Sequence, residues 1–303
     1  MVRPLSLAQH TLYADLLDQG IDDLFDPEMP ENGSILVRSN RAGAPADHAY
    51  YQGYRPAAGD AGRGQRYARY LGRADDPDVV ARIARFQRVK TVRAERATTV
   101  SALIGAGMPR PDRITGRIIE ALARAGLFPD HAVLLGEAAF QTYDGVLGVR
   151  FPKRPQRTRD DPAVEIALRD PGRVGGILDA LRTMDPSFAS GPEDLGLCRS
   201  ATGVQVAVVG LDQANDETSD LTGILIDNPV QSLVLHGPGI PVAVPAPERH
   251  AVHALTEARR GAGACVNRVC TERARHLVEA LRAIGRDPAP TAAILEAATR
   301  NGS

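Results

Sequence analysis

Read for its alternation of apolar and polar positions, the chain falls into stretches of different period. SLAQHTLYADLLDQG near the start has helical spacing, and DDLFDPEMPENGS after it is acidic and rich in turn formers. From Ile35 to Gly72 the period shortens. ILVRS, HAYYQGYR and GQRYARYLG alternate and carry aromatics between Gly, Pro and Asn, which predicts a small antiparallel meander. Asp75, Asp76 and Pro77 then put acids and a proline where a helix begins, and DVVARIARFQRVKTVRAERATTVSALI continues it with Val79, Ile83 and Phe86 in one stripe. PDRITGRIIEALARAGLF predicts a second helix, opening at Pro111 and Asp112 and closing near Gly126. Its Ile114, Ile118, Ile119 and Leu122 have helical spacing, so it is expected to pack as a linker between the basic front half and the C-terminal part of the chain.

From Asp130 onward strands and helices alternate. HAVLLGEAAFQTYDGVLG reads as a strand, a turn at Gly136 and a helix; AVEIAL is a short strand and PGRVGGILDALRTM a helix. GVQVAVVGL is a further strand, SLVLHG and GIPVAVPAPE a strand pair, and ERHAVHALTEARRG opens a helical region ending at ALRAIG. RDPAPTAAILEAATRNGS adds a last helix. This order predicts the α/β (α+β) class: a core sheet of mixed direction, a small N-terminal β-meander with helices, and a C-terminal helical lobe. The expected parts are 1–126, 127–245 and 246–303.

Composition narrows the class. Hydrophobic residues at 43% and charged residues at 24% over 303 positions are ordinary for a globular chain, which excludes a fibre or a disordered tail. The formal net charge is -1, so nucleic-acid or membrane binding would need local asymmetry. No apolar run nears the roughly 18 residues of a membrane span, and the opening stretch lacks a signal-peptide pattern. The expectation is a soluble cytoplasmic protein with no membrane partner. Cys198, Cys265 and Cys270 form no CxxC and the seven histidines have no zinc spacing, so reduced buried thiols are expected and no metal site. HGPG at 236–239 reads as a hairpin turn, and His250 and His253 as packed or surface residues.

The local asymmetry exists. The first 34 residues carry Arg3 against seven acids, a net of -6, whereas Ile35 to Arg73 carries seven arginines against Asp47 and Asp60, a net of +5, with five of the seven tyrosines. Arginines interleaved with aromatics on a small sheet suit single-stranded nucleic acid, with Arg55, Arg66, Arg69, Tyr54 and Tyr67 as the candidate residues. The competing reading makes Tyr50, Tyr54, Tyr67 and Tyr70 the meander's own core and pairs the arginines with the acidic N-terminus.

Three segments carry a resemblance. GIPVAVPAPERHAVHALTEARR at 239–260, HAVLLGEAAFQTYDGVLGVRF at 131–151, and the Tyr-rich HAYYQGYR with GQRYARYLG resemble, in order and spacing, a bacterial nucleotidyltransferase-like family of the DNA polymerase beta superfamily. The resemblance implies transfer of a nucleotidyl group from an NTP with two divalent metals, held by two or three converging carboxylates. It also implies a Gly followed by a small hydroxyl residue for the phosphates, and a cation from the lobe.

Those groups are largely replaced. At the phosphate turn Gly136 is followed by Glu137, a carboxylate where phosphate would sit. The strand expected to carry Asp-x-Asp reads Ala163, Val164, Glu165, and a slipped register puts Asp160 first but Pro162 second. The third carboxylate position is Ala207, the family's His-Lys-Leu is His253, Ala254, Leu255, and a later Lys-Asp pair is replaced near Val269 and Cys270. The expected function is therefore a catalytically degenerate nucleotidyltransferase-fold protein that binds a nucleotide, nucleic acid or protein partner, with Gly136 and Glu137 at its nucleotide turn and no cofactor. One alternative is an active metal-dependent nucleotidyltransferase using Mg²⁺, an NTP and Glu165, Asp160 and Asp161; another is a scaffold subunit of an active enzyme, which leaves an oligomer open.

Overall fold

The apolar runs after Asp130 become the strands of a seven-stranded mixed sheet in the computed structural model. The structure describes residues 2–19, 25–26, 28–39, 47–55, 65–152, 162–169, 171–191, 196–209, 223, 225–260 and 264–286. Two short stretches, β1 (Arg3–Pro4) and β6 (Val149–Arg150), pair with each other. In the large sheet the order is β11 (Val230–Val234), β12 (Ile240–Val244), β5 (Ala132–Leu135), β7 (Val164–Leu168), β10 (Gln205–Val209), β9 (Leu197–Arg199) and β8 (Ala189–Ser190). β5 is parallel to β12 and antiparallel to β7, and β7 is parallel to β10. HGPG closes the β11–β12 hairpin, with Gly237 and Gly239 at positive φ.

Among the described residues the helices are α1 (Leu7–Asp18), α2 (Pro77–Gly105), α3 (Arg113–Arg124), α4 (Gly136–Leu147), α5 (Val174–Met184), α6 (Pro247–Arg260) and α7 (Ala264–Ala283). None is long and apolar enough to cross a membrane. The class is mixed α/β (α+β), as the alternation of strand and helix patterns predicts. The expected helix in the tail after 286 lies outside the described residues.

Helix α3 is a correction to the sequence reading. Instead of a linker it is part of the main core, where Ile118, Ile119 and Leu122 pack with Phe140 and Tyr143 of α4, Ile177 of α5 and the sheet residues Leu134, Ile166 and Val242. Ile114 does not join them and is 50% exposed. The buried face of α3 runs instead through Thr115, Gly116, Ile118, Ile119 and Leu122, and the His236 ring lies so close over Gly116 that an added Cβ would stand 2.2 Å from its Nδ1.

The chain forms two compact units, Met1–Gly20 with Ala97–Ser303, and Ile21–Arg96. In the first, a Ser6/Gln9 capping box starts α1, which buries Tyr13 and Leu16 with Val100, Leu103 and Met108. The backbone N–H of Leu233 donates to the Tyr13 hydroxyl at 2.9 Å. The C-terminal helices join through a buried pair: the Tyr143 hydroxyl donates to the Pro245 carbonyl at 2.9 Å and lies 2.9 Å from His250 Nδ1. The hydroxyl has one proton to give, so Nδ1 carries the ring's hydrogen and donates to it. Burial pushes His250 from its ordinary 6.5 down to about 3 and Tyr143 well above 10.0. Of the thiols expected to be buried, Cys198 is buried and Cys270 half-buried, and no disulfide joins them.

In the second unit, β2 (Ser34–Ser39), β3 (Asp47–Arg55) and β4 (Gln65–Arg73) form the expected antiparallel meander. Its core is Tyr51, Met29 and Phe86, with Ile35, Tyr67 and Leu71 packed against them. Tyr51, absent from the tyrosines expected in the core, is 0% exposed, while Tyr54 and Tyr70, expected there, are 46% and 54% exposed. Alternation decides this, because only residues on one side of the pleat meet Phe86 of α2. Gly53 lies on that side, and its missing side chain leaves room for the Tyr67 ring, which an added Cβ would meet at 2.5 Å. The arginines pair with the acidic segment: Arg82 with Asp26 and Glu28, Arg69 with Glu28, and Arg93 with Glu31.

Two measurements check this packing. Leu122→Ala is expected to cost about 2–5 kcal/mol in urea unfolding, and Ile114→Ala less than about 0.5 kcal/mol; similar costs would return α3 to the role of a linker. Unfolded His250 takes a proton near 6.5 whereas the folded ring does so only near 3. Its contribution is therefore complete above pH 6.5 and declines as pH falls, by about 1.4 kcal/mol at pH 5.5. His250→Gln should make the fall in Tm between pH 7.5 and 5.5 shallower without abolishing it, since burial lowers His236 and His276 as well.

Candidate functional site

The chemistry that the resemblance implies would gather at the end of β5, where the chain turns into α4. Gly136 opens that helix at φ 62, a conformation suited to glycine. Antiparallel pairing sets Leu135 opposite Glu165, and the Glu165 carboxylate then presses on the turn: a Cβ added to Gly136 would lie 2.5 Å from its Oε1. Leu135 offers no side-chain cap to the first turn of α4, so the acids standing near the helix's positive end are Glu165 and Glu137.

Glu137 is not a bare charge. Arg273 of α7 donates to its Oε2 at 2.8 Å, with only 12% of the arginine and 17% of the glutamate side chain exposed. Gln141, one turn on, donates from Nε2 to Oε1 at 3.2 Å. Gln141 Oε1 and Arg273 Nε are buried without a hydrogen-bond partner, so one acceptor and one donor stand unused beside the pair. Glu137 and Gln141 line a cleft of about 310 Å³ with Pro111, Asp112, Thr115 and Ala163. Asp112 caps α3, accepting from the N–H groups of Ile114 and Thr115 at 2.9 and 3.0 Å, and the Thr115 hydroxyl lies 2.7 Å from its Oδ2.

The register places the expected metal positions. Ala207 of β10 is the direct partner of Glu165 across the parallel pair, and both lie on the face bearing Val133, Leu135, Ala167 and Ala243. Leu225, 5% exposed, and Ile226 pack onto that face. Ala163 precedes β7 and is buried in the main core, its N–H donating to the Gln205 carbonyl at 2.7 Å. Two Mg²⁺ ions need two or three converging carboxylates. The described residues offer Glu165 there, with alanine opposite it and Glu137 engaged by Arg273. No group of three His, Cys, Asp or Glu suited to a metal occurs among the described residues. Asp160 and Asp161 lie outside them.

Of the residues singled out for nucleic acid, Tyr54 and Arg66 are direct partners across β3 and β4 on one exposed face. Tyr67 and Arg69 project to the other face, where Tyr67 meets the Tyr51 ring at 6.1 Å and Arg69 pairs with Glu28 at 3.3 Å. Arg55 ends β3, and its side chain lies outside the described set. The sequence reading missed Arg273 and Gln141. Nothing sets Arg273 apart among 34 arginines, since its partner is 136 positions away; Gln141 had a local signal, its i, i+4 spacing from Glu137.

Removing the Arg273 guanidinium leaves a mostly buried carboxylate without its cation. Arg273→Met is expected to cost on the order of 1–3 kcal/mol in urea unfolding, between the values for exposed and for buried pairs. Adding Glu137→Gln should restore most of the loss, and a strictly additive double variant would refute the pairing.

No curated protein and no solved structure matches the chain. Residues 113–221, from the first residue of α3 through β5, α4, β7, α5 and β10, match the family model described as Nucleotidyltransferase.

Proposed function

We propose that the chain is a nucleotidyltransferase-fold protein of the DNA polymerase beta superfamily that has lost two-metal nucleotidyl transfer and acts by binding. The observation that carries this reading is the β5–α4 turn. The Glu165 carboxylate lies against Gly136, and Glu137 in the next position is tied to Arg273. An incoming triphosphate would meet the Glu165 carboxylate and an arginine already engaged by Glu137 at the helix end that should attract it. Ala207 opposite Glu165 removes a ligand from the place where charge on the leaving pyrophosphate has to be neutralised. Leu225 over the same face adds an apolar cover.

The active alternative requires Glu165, with Asp160 and Asp161, to hold metal. Calorimetric titration of Mg²⁺ or Mn²⁺ with a nonhydrolysable ATP analogue is expected to give no stoichiometric binding at micromolar concentrations. Glu137→Ser with Ala163→Asp, Glu165→Asp and Ala207→Asp is expected to restore nucleotide binding. Transfer of label from any NTP to an acceptor by the unaltered protein, abolished by Glu165→Ala, would overturn the proposal in favour of an active enzyme.

A further inference from the structure

The meander has a face that its own core does not use. With Tyr51, Met29 and Phe86 filling one side, the register puts Leu36, Tyr50 and Tyr70 in a row across the other side, with Tyr54 beside Arg66 further along. Burial accounts for Tyr51; it does not account for Tyr54 at 46% or Tyr70 at 54% exposure. The outer rings are nonetheless held in place. The Tyr70 hydroxyl lies 3.0 Å from His48 Nδ1, and the Tyr50 and Tyr70 ring centres are 5.4 Å apart at 58°.

Charge is divided between the faces in the same way. Asp26, Glu28 and Glu31 are taken up by Arg82, Arg69 and Arg93. Arg38, paired in register with His48, and Arg66, paired with Tyr54, are exposed on the outer face and have no carboxylate partner among the described residues. Arg73 at the strand end is neutralised by Asp75. The outer face therefore offers flat rings together with the Arg38 and Arg66 guanidinium groups, its carboxylate Asp75 being taken up by Arg73 at the strand end, and Gln52 is exposed between Tyr50 and Tyr54.

We propose that this outer face of β2, β3 and β4 binds single-stranded nucleic acid, its bases stacking on Tyr54 and Tyr70 and its phosphates meeting Arg38 and Arg66. Unpaired bases expose the π-faces that a duplex hides, and a polyanion is the partner whose charge complements those guanidinium groups. Stacking and phosphate contact read neither the base nor the sugar, so RNA and DNA strands should bind alike. The inference rests on the binding reading above by naming its partner, yet it is measured without metal or NTP, so its failure leaves the reading of the β5–α4 turn intact.

The test is fluorescence anisotropy with labelled 20-nucleotide oligouridine and oligothymidine, and with a mixed-sequence duplex of equal length, on the full chain. Both single strands are expected to bind within about tenfold of each other and at least tenfold tighter than the duplex. Affinity should fall with salt at a log-log slope of about -0.7 per phosphate contact. Tyr54→Ala with Tyr70→Ala should weaken binding at least tenfold, and Tyr54→Phe with Tyr70→Phe should retain it, which separates stacking from misfolding. Arg38→Ala with Arg66→Ala should reduce the salt slope, while Arg85→Ala with Arg88→Ala, exposed positions on α2, should not. No binding of either strand at low salt, equal binding of the duplex, or an unchanged affinity in the Tyr→Ala pair would overturn the proposal.

Discussion

The antiparallel pairing of β5 with β7 is the constraint on which the chemistry of the core depends. It sets Leu135 opposite Glu165 and so brings a carboxylate from a distant strand against Gly136, at the point where the chain leaves the sheet for α4. Gly136 tolerates this because it has no side chain and adopts φ 62. The parallel β7–β10 pair then fixes what stands beyond Glu165, and that is Ala207. A helix N-terminus at the end of a strand, which in general attracts anions, here has Glu165 against its first residue and the Glu137–Arg273 pair in its first turn.

Arg273 adjusts that balance from the far end of the chain. By holding Glu137 at 2.8 Å it lets a carboxylate remain in a mostly buried position, and it ties α7 to the first turn of α4. The Tyr143–His250 contact does the same for α6 with a neutral pair, kept neutral by burial. Both links join the C-terminal helices to α4, so the helix that opens at the candidate turn also anchors the lobe.

The meander shows how a two-residue period sorts chemistry as well as hydrophobicity. One side of β3 gives Tyr51 and Gly53 to the core, and the other gives Tyr50, Gln52 and Tyr54 to the surface. Acids from the preceding segment bind arginines on the inner side, on β4 and α2. The two sequence readings of this region, a tyrosine core and a basic aromatic surface, describe opposite faces of one sheet. Each assigns some tyrosines to the wrong face, because a set of aromatics carries no parity until the register is known.

The sequence by itself determined the elements. Alternation marked the meander and the strand pair 230–244, helical spacing and acidic or proline starts marked α2 and α3, and the strand-turn-helix at Gly136 was legible from AVLLGE. It also marked Glu165 and Ala207 as positions of interest, though only through the resemblance. What the tertiary structure alone decided were the partnerships: α3 in the core and Ile114 outside it, Arg273 on Glu137, Tyr51 inside and Tyr54 and Tyr70 outside, and Leu225 over the face that holds Glu165. Periodicity is set by backbone geometry within a few residues and is written locally. A partner 136 positions away, or the side of a sheet that another element covers, depends on how the strands are ordered, and no local pattern of residues records that order.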